Sequence, residues 1–117
     1  MAPKLHRQGR RGDEMSKVRS IYRIYTEDKN RKDTIKLMGD YFTNFTILHG
    51  SGYWHGELET TIVFEIVDDG QRARLDESVK AAAAAILTLN NQASVLVTEV
   101  LGHVTEYKQG VSRINER

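Results

Sequence analysis

From Glu57 to Val67 the side chains alternate without a break. Leu58, Thr60, Ile62, Phe64 and Ile66 fall on one side, and Glu59, Thr61, Val63, Glu65 and Val67 on the other. A run of period two cannot keep one apolar face if it winds into a helix, so it commits the chain to a sheet with one face half buried. Two stretches of helical period flank it. Ile35, Met38, Phe42 and Phe45 recur every three or four residues and predict a helix over about 32–43, with Asn30 as its cap and Asp33 in its first turn. Leu75, Val79, Ala82, Ala83, Ile86 and Leu87 predict a second helix, begun at the turn Asp68-Asp69-Gly70 and closed by Asn90-Asn91-Gln92. The alanines from Ala81 to Ala85 favour the helix and let a sheet come close.

Three further segments read as strands. Arg19 to Thr26 is rich in β-branched and aromatic residues and has apolar groups on both faces, Tyr22 and Ile24 against Ile21 and Tyr25, as a central strand does. Thr46 to His49 follows the first helix, and Gly50-Ser51-Gly52 then reads as a break into a glycine-punctuated loop or bulge reaching Gly56. Ala93 to Val100 follows the second helix, with Gly102 to Tyr107 as a further short strand or arm. The order β-α-β-β-α-β predicts an α+β, ferredoxin-like domain with both helices on one face of an antiparallel sheet. The expected organisation is a basic leader over 1–17 without fixed structure, a single domain over 18–107 and a loose tail over 108–117. The other sheet face then carries Arg23, Tyr25, Thr61, Val63 and Glu65, a mixture suited to a subunit interface or a ligand, and a homo-oligomer is expected.

Composition removes several classes of function. The chain has no cysteine, so disulfide frameworks, thiolate metal sites and cysteine nucleophiles are out. Seventeen basic and sixteen acidic side chains leave a formal charge of +1, too balanced to draw in a phosphate backbone through the whole-molecule field. Nucleic acid is therefore not expected as a partner except through the leader, where Lys4, Arg7, Arg10, Arg11, Lys17 and Arg19 outweigh Asp13 and Glu14. No stretch approaches the ~20 apolar residues of a membrane helix. The chain is expected to be cytoplasmic and to have no membrane partner.

Candidate chemistry concentrates between His49 and Glu59. Two imidazoles, three glycines, Tyr53, Trp54 and the carboxylates of Glu57 and Glu59 share this stretch. Glycines let a backbone approach a ligand, and the aromatics can stack on a planar ring. Arg23, Tyr25, Gly52, Tyr53, Trp54, His55, Glu57 and Glu59 are the candidate ligand-binding residues. A catalytic reading makes His49 or His55 a general base oriented by Glu57 or Glu59. The glycines lack the lysine and following helix of a phosphate loop, and Ser51 lacks the context of a nucleophile elbow. His49 and His55 lack metal-ligand spacing, so neither metal nor cofactor is expected.

The segments Ser20-Ile21-Tyr22-Arg23-Ile24-Tyr25-Thr26-Glu27, Phe45-Thr46 and Gly52-Tyr53-Trp54-His55-Gly56, with Glu57 and Glu59, resemble small uncharacterised bacterial and phage proteins with a G-x-W segment after the second strand. The resemblance spans about Ser20 to Glu99. It implies a ferredoxin-like fold and assigns no catalytic residue. In strand and helix order the chain also looks like small trimeric signalling proteins that bind nucleotides or metals between subunits. Three functions follow as expectations: an oligomeric module binding a small, nucleotide-like molecule; a protein-interaction or inhibitory factor acting on a host protein; and a small hydrolase or isomerase using His/Glu acid-base chemistry.

Overall fold

The alternating run becomes an inner strand of a four-stranded sheet. A computed structural model describes residues 14–109, in the order β1 (Glu14–Glu27), α1 (Arg31–Tyr41), β2 (Thr46–Trp54), β3 (Glu57–Val67), α2 (Leu75–Asn90) and β4 (Leu96–Tyr107). The sheet order is β2-β3-β1-β4, and β3 pairs antiparallel with both of its neighbours. This is the ferredoxin-like β-α-β-β-α-β arrangement, with β1 central. The chain divides into two compact units. One, Ser20–Leu101, holds both helices, the core and the candidate site; the other contains the outer ends of β1 and β4, 14–19 and 102–107, among the described residues. β1 begins at Glu14, inside the segment expected to be an unstructured leader, and 102–107 continues β4 rather than forming a separate strand. The remainder of the expected leader, 1–13, and most of the expected tail, 110–117, lie outside the described residues.

The core forms where strand and helix periodicities meet. Tyr22 and Ile24 of β1 and Ile62, Phe64 and Ile66 of β3 turn one face toward Met38 and Phe42 from the first helical segment and Leu75, Val79, Ala82, Ala83 and Ile86 of α2. Phe45 meets Phe64 edge-on at 5.8 Å, a favoured geometry for two rings. The burial is uneven along β3: its far half carries the core, whereas Leu58 and Thr60 on the same face are exposed.

Three local expectations are corrected. Asn30 sits in left-handed backbone at φ 48° and its side chain does not cap α1; its amide donates instead to Asn90 Oδ1 at 3.1 Å. The turn after β3 is closed by Asp68 and Asp69, which accept from the amides of Gly70 and Gln71, and α2 starts only at Leu75. Gly50-Ser51-Gly52 does not end the second strand. β2 runs on to Trp54 in unbroken register with β3, from Thr46 opposite Glu65 to Trp54 opposite Glu57.

His55 and Gly56 close this hairpin with φ of 48° and 83°. Positive φ at both central residues matches the right-handed twist of the strands, and glycine takes it without strain. β1 stops pairing near Glu27 and Asp28, whose amide donates to the Thr60 carbonyl. The rungs from Gly52–Glu59 to Trp54–Glu57 therefore overhang the end of β1.

Candidate functional site

A cleft of about 90 Å³ opens at the sheet end where β1 stops, β4 starts and the hairpin overhangs. Tyr25, Thr26 and Glu27 of β1, Trp54 and His55 of the hairpin, Glu59 of β3, and Gln92, Ala93, Ser94 and Leu96 ahead of and within β4 line it. Strand alternation sets which side chains arrive. Glu27 lies opposite Thr61 and Tyr25 opposite Val63, so Tyr25, Glu27, Glu59 and Trp54 all belong to the face away from the helices.

Trp54 reaches the cleft because residue 52 has no side chain. A methyl group at Gly52 would overlap the Trp54 indole and come within 2.7 Å of Thr61 Oγ1. The glycine is thus required for close approach: the indole lies back across the hairpin toward Glu59. Beneath it Thr61 is only 6% exposed, and its hydroxyl has no hydrogen-bond partner among the described residues. A buried, unpaired hydroxyl costs about 1–3 kcal/mol. Thr61→Val keeps the shape and removes that cost, and is expected to raise stability by about 1 kcal/mol, read as a higher urea midpoint at unchanged slope.

The opposite wall is fixed by a polar network. Gln92 Oε1 accepts from Thr26 Oγ1 and from Asn90 Nδ2, and Gln92 Nε2 donates to the Ser94 carbonyl at 3.0 Å. Asn90 Oδ1 in turn accepts from Asn30 and from Thr34. Thr26, Thr34 and Asn90 are buried, so this chain of amides and hydroxyls ties β1, both helices and the approach to β4 into one rigid corner.

The candidate residues divide clearly. Tyr25, Trp54, His55 and Glu59 line the cleft, and Gly52 makes room for Trp54. Arg23 does not reach it: its guanidinium pairs with the cross-strand Glu65 carboxylate, Nε to Oε2 at 2.9 Å. Tyr53 points to the other side of the hairpin and is 72% exposed, and Glu57 is exposed beside the turn. His49 sits six residues before His55, about 20 Å along an extended strand, and its positive influence falls on Asp28. That carboxyl is held below its ordinary pKa first by a hydrogen bond from Arg31 and only lastly by His49. The two histidines are not brought together, and among the described residues no three His, Asp or Glu side chains are arranged around a metal position. Thr26, Glu27, Gln92, Ala93, Ser94 and Leu96 were missed by sequence reasoning. Asn90-Asn91-Gln92 carried the one available signal, a cluster of amides at a helix end, where a polar side chain can serve the network as well as terminate the helix.

No protein-family model matches the sequence, and no curated protein is similar to it. Solved structures share its fold. A phage SAM lyase in its apo state superimposes with a TM-score of 0.58 at 16% identity, over 80% of this chain and 92% of that one. A phage SAM lyase in complex with S-methyl-5′-thioadenosine gives 0.53 at 17% identity, over 74% and 89%. CPII, a nitrogen regulatory PII-like protein from Thiomonas intermedia K12 bound to ADP, AMP and bicarbonate, gives 0.54 at 14% identity, over 77% and 96%. At these identities the likeness is one of fold. Among the described residues no helix is long and apolar enough to cross a membrane.

Proposed function

We propose that the protein is an oligomeric module that binds a small molecule with a planar, nucleoside-like ring in the cleft at the sheet end. The observation that carries the reading is the pairing there of two aromatic side chains, Tyr25 and Trp54, with hydrogen-bonding groups from Gln92, Ser94, Glu27 and Glu59. Small-molecule sites combine apolar walls with a few placed polar groups in this way. Two fold neighbours carry adenosine-bearing ligands, S-methyl-5′-thioadenosine in one and ADP and AMP in the other, which gives adenosine derivatives as the first compounds to try.

The oligomer enters through size and surface. A volume of about 90 Å³ falls short of the ~300 Å³ at which ligand pockets usually begin. A ring of nucleoside size needs further wall, and a second copy supplies it. The sheet face that leads to the cleft is uncovered and largely apolar: Leu48, Val67, Leu96 and Val100 are exposed, and the charges of Arg23 and Glu65 neutralise one another. Apolar area of this kind is stabilised by burial against a partner.

The test uses the one tryptophan of the chain as its reporter. Adenosine and S-methyl-5′-thioadenosine are titrated against Trp54 fluorescence, with native mass spectrometry to count subunits. Saturable quenching is expected, and Gly52→Ala, which dislodges the indole, is expected to weaken it about tenfold, the order of an aromatic pair's contribution. No response from any nucleoside at millimolar concentration, in a protein that remains a monomer, would sink the reading.

A second reading has its own observation. Tyr53 and Leu58 are directly paired across the hairpin on the face opposite Trp54, and both are more than 70% exposed. An exposed aromatic-aliphatic pair on an overhanging arm suits attachment to another protein. Loss of a partner's binding in Tyr53→Ser with Trp54 quenching intact separates the two readings.

A further inference from the structure

We infer that the cleft selects an organic cation, an ammonium or sulfonium group carried on a planar or apolar body, and disfavours phosphate esters. This rests on the small-molecule reading above and adds the charge of the ligand. Glu27 and Glu59 stand on the same face of neighbouring strands; Glu27 is opposite Thr61, and Glu59 lies two residues before it. The backbones of such diagonal neighbours are about 7–8 Å apart, and both side chains line the one cleft, so a small group there can meet both.

Their charge is poorly balanced by protein. Lys29 Nζ comes to 3.9 Å of Glu27, while Glu59 has no ion-pair partner among the described residues. Among the described residues no lysine or arginine lines the cleft. The nearby guanidinium groups are engaged elsewhere, Arg23 by Glu65 and Arg31 by Asp28. A phosphate entering here meets two carboxylates, and among the described residues the His55 imidazole is the one basic side chain of the lining, with no guanidinium or ammonium such as phosphate recognition uses. A cation meets two carboxylates and the electron-rich rings of Tyr25 and Trp54, which attract positive charge within about 6 Å of a ring centre. The volume agrees with a compact group: about 90 Å³ is small beside the ~300 Å³ at which ligand pockets usually begin. That is room for a methylated ammonium or sulfonium head, with its body extending outward over Leu96.

Three probes with a common adenosine body separate charge from shape. S-methyl-5′-thioadenosine is neutral, its S-methylated dimethylsulfonium form is cationic, and AMP is anionic. Each is titrated against Trp54 fluorescence at low ionic strength with the full chain, with Glu59→Gln and with Glu27→Gln, thermal melting confirming that each variant is folded. The sulfonium is expected to bind about tenfold tighter than the thioether, and AMP more weakly than either. Glu59→Gln is expected to lower the sulfonium-to-thioether ratio most, and Glu27→Gln to lower it less, because Lys29 already offsets that carboxylate. AMP binding as tightly as the thioether, or a sulfonium preference that persists in both variants, overturns the inference and leaves the small-molecule reading standing. Failure of all three probes to bind overturns that reading and the cation with it.

Discussion

Phe64→Ala is expected to lower the stability of the fold by about 3–5 kcal/mol, a large part of the ~5–15 kcal/mol that a domain of this size commonly has. Phe64 is completely buried, stands on an inner strand, and packs against Phe45 from one side and the helices from the other. Truncation removes the favourable transfer of the ring and leaves a cavity whose walls are strands locked in register, which relax little. Leu58→Ala is the internal comparison. Leu58 lies on the same face of the same strand but is 73% exposed, and its loss is expected to change stability by no more than about 0.5 kcal/mol. Urea denaturation of both variants checks the pair. Equal losses would mean that the hairpin end is covered in solution.

Asn90→Ala is expected to cost about 2 kcal/mol and to disturb the cleft at a distance. Asn90 is buried at the end of α2, accepts from Asn30 and Thr34 and donates to Gln92. Its removal takes a partner from the buried Thr34 hydroxyl and from the half-buried Gln92 amide, at about 1–3 kcal/mol for a group left unsatisfied, whereas Asn30 is exposed and can turn to water. Thr34 retains an alternative in the Lys29 carbonyl at 3.3 Å, which keeps the total near the middle of that range. Because Gln92 lines the cleft, the variant is also expected to shift Trp54 emission, whereas Phe64→Ala destabilises without that signature below its unfolding transition. A purely global loss, with native emission unchanged, would show that the network supports the fold and not the site.

Elements with a long, clean period were readable from the sequence. The stripe from Leu75 to Leu87 is the buried side of α2 apart from the half-buried Leu87, and the alternation after Glu57 gives the register of β3 correctly. The placing of β1 at the centre also followed from its two apolar faces. The hairpin did not follow, since glycine weakens a strand in isolation and Gly50-Ser51-Gly52 therefore resembles a break. What holds β2 straight is the ladder to Thr61, Thr60 and Glu59 and the indole laid over Gly52, neither of which is a local property. Asn30 stands at the N-cap position, but its side chain does not cap for a similar reason: its amide has a better-placed acceptor sixty residues away in Asn90. Part of the cleft was visible because Tyr25, Trp54, His55 and Glu59 are conspicuous residues near glycines. Gln92 and Ser94 were not, because short polar side chains after a helix look the same whether they face solvent or a site.

The two-residue turn at His55 and Gly56 imposes a parity rule on how this protein can change. Adding one residue to each strand between the Gly52–Glu59 and Trp54–Glu57 rungs carries Trp54 to the face now occupied by Tyr53, emptying the cleft of its indole. Adding two residues to each strand restores the side but moves the ring about 7 Å beyond Glu59 at the ordinary rise of a strand. Length variation in the arm is therefore quantised, and the steps that keep the tryptophan on the correct side also carry it out of reach. What the indole's place in the cleft fixes is the spacing between Trp54 and the Gly52–Glu59 rung.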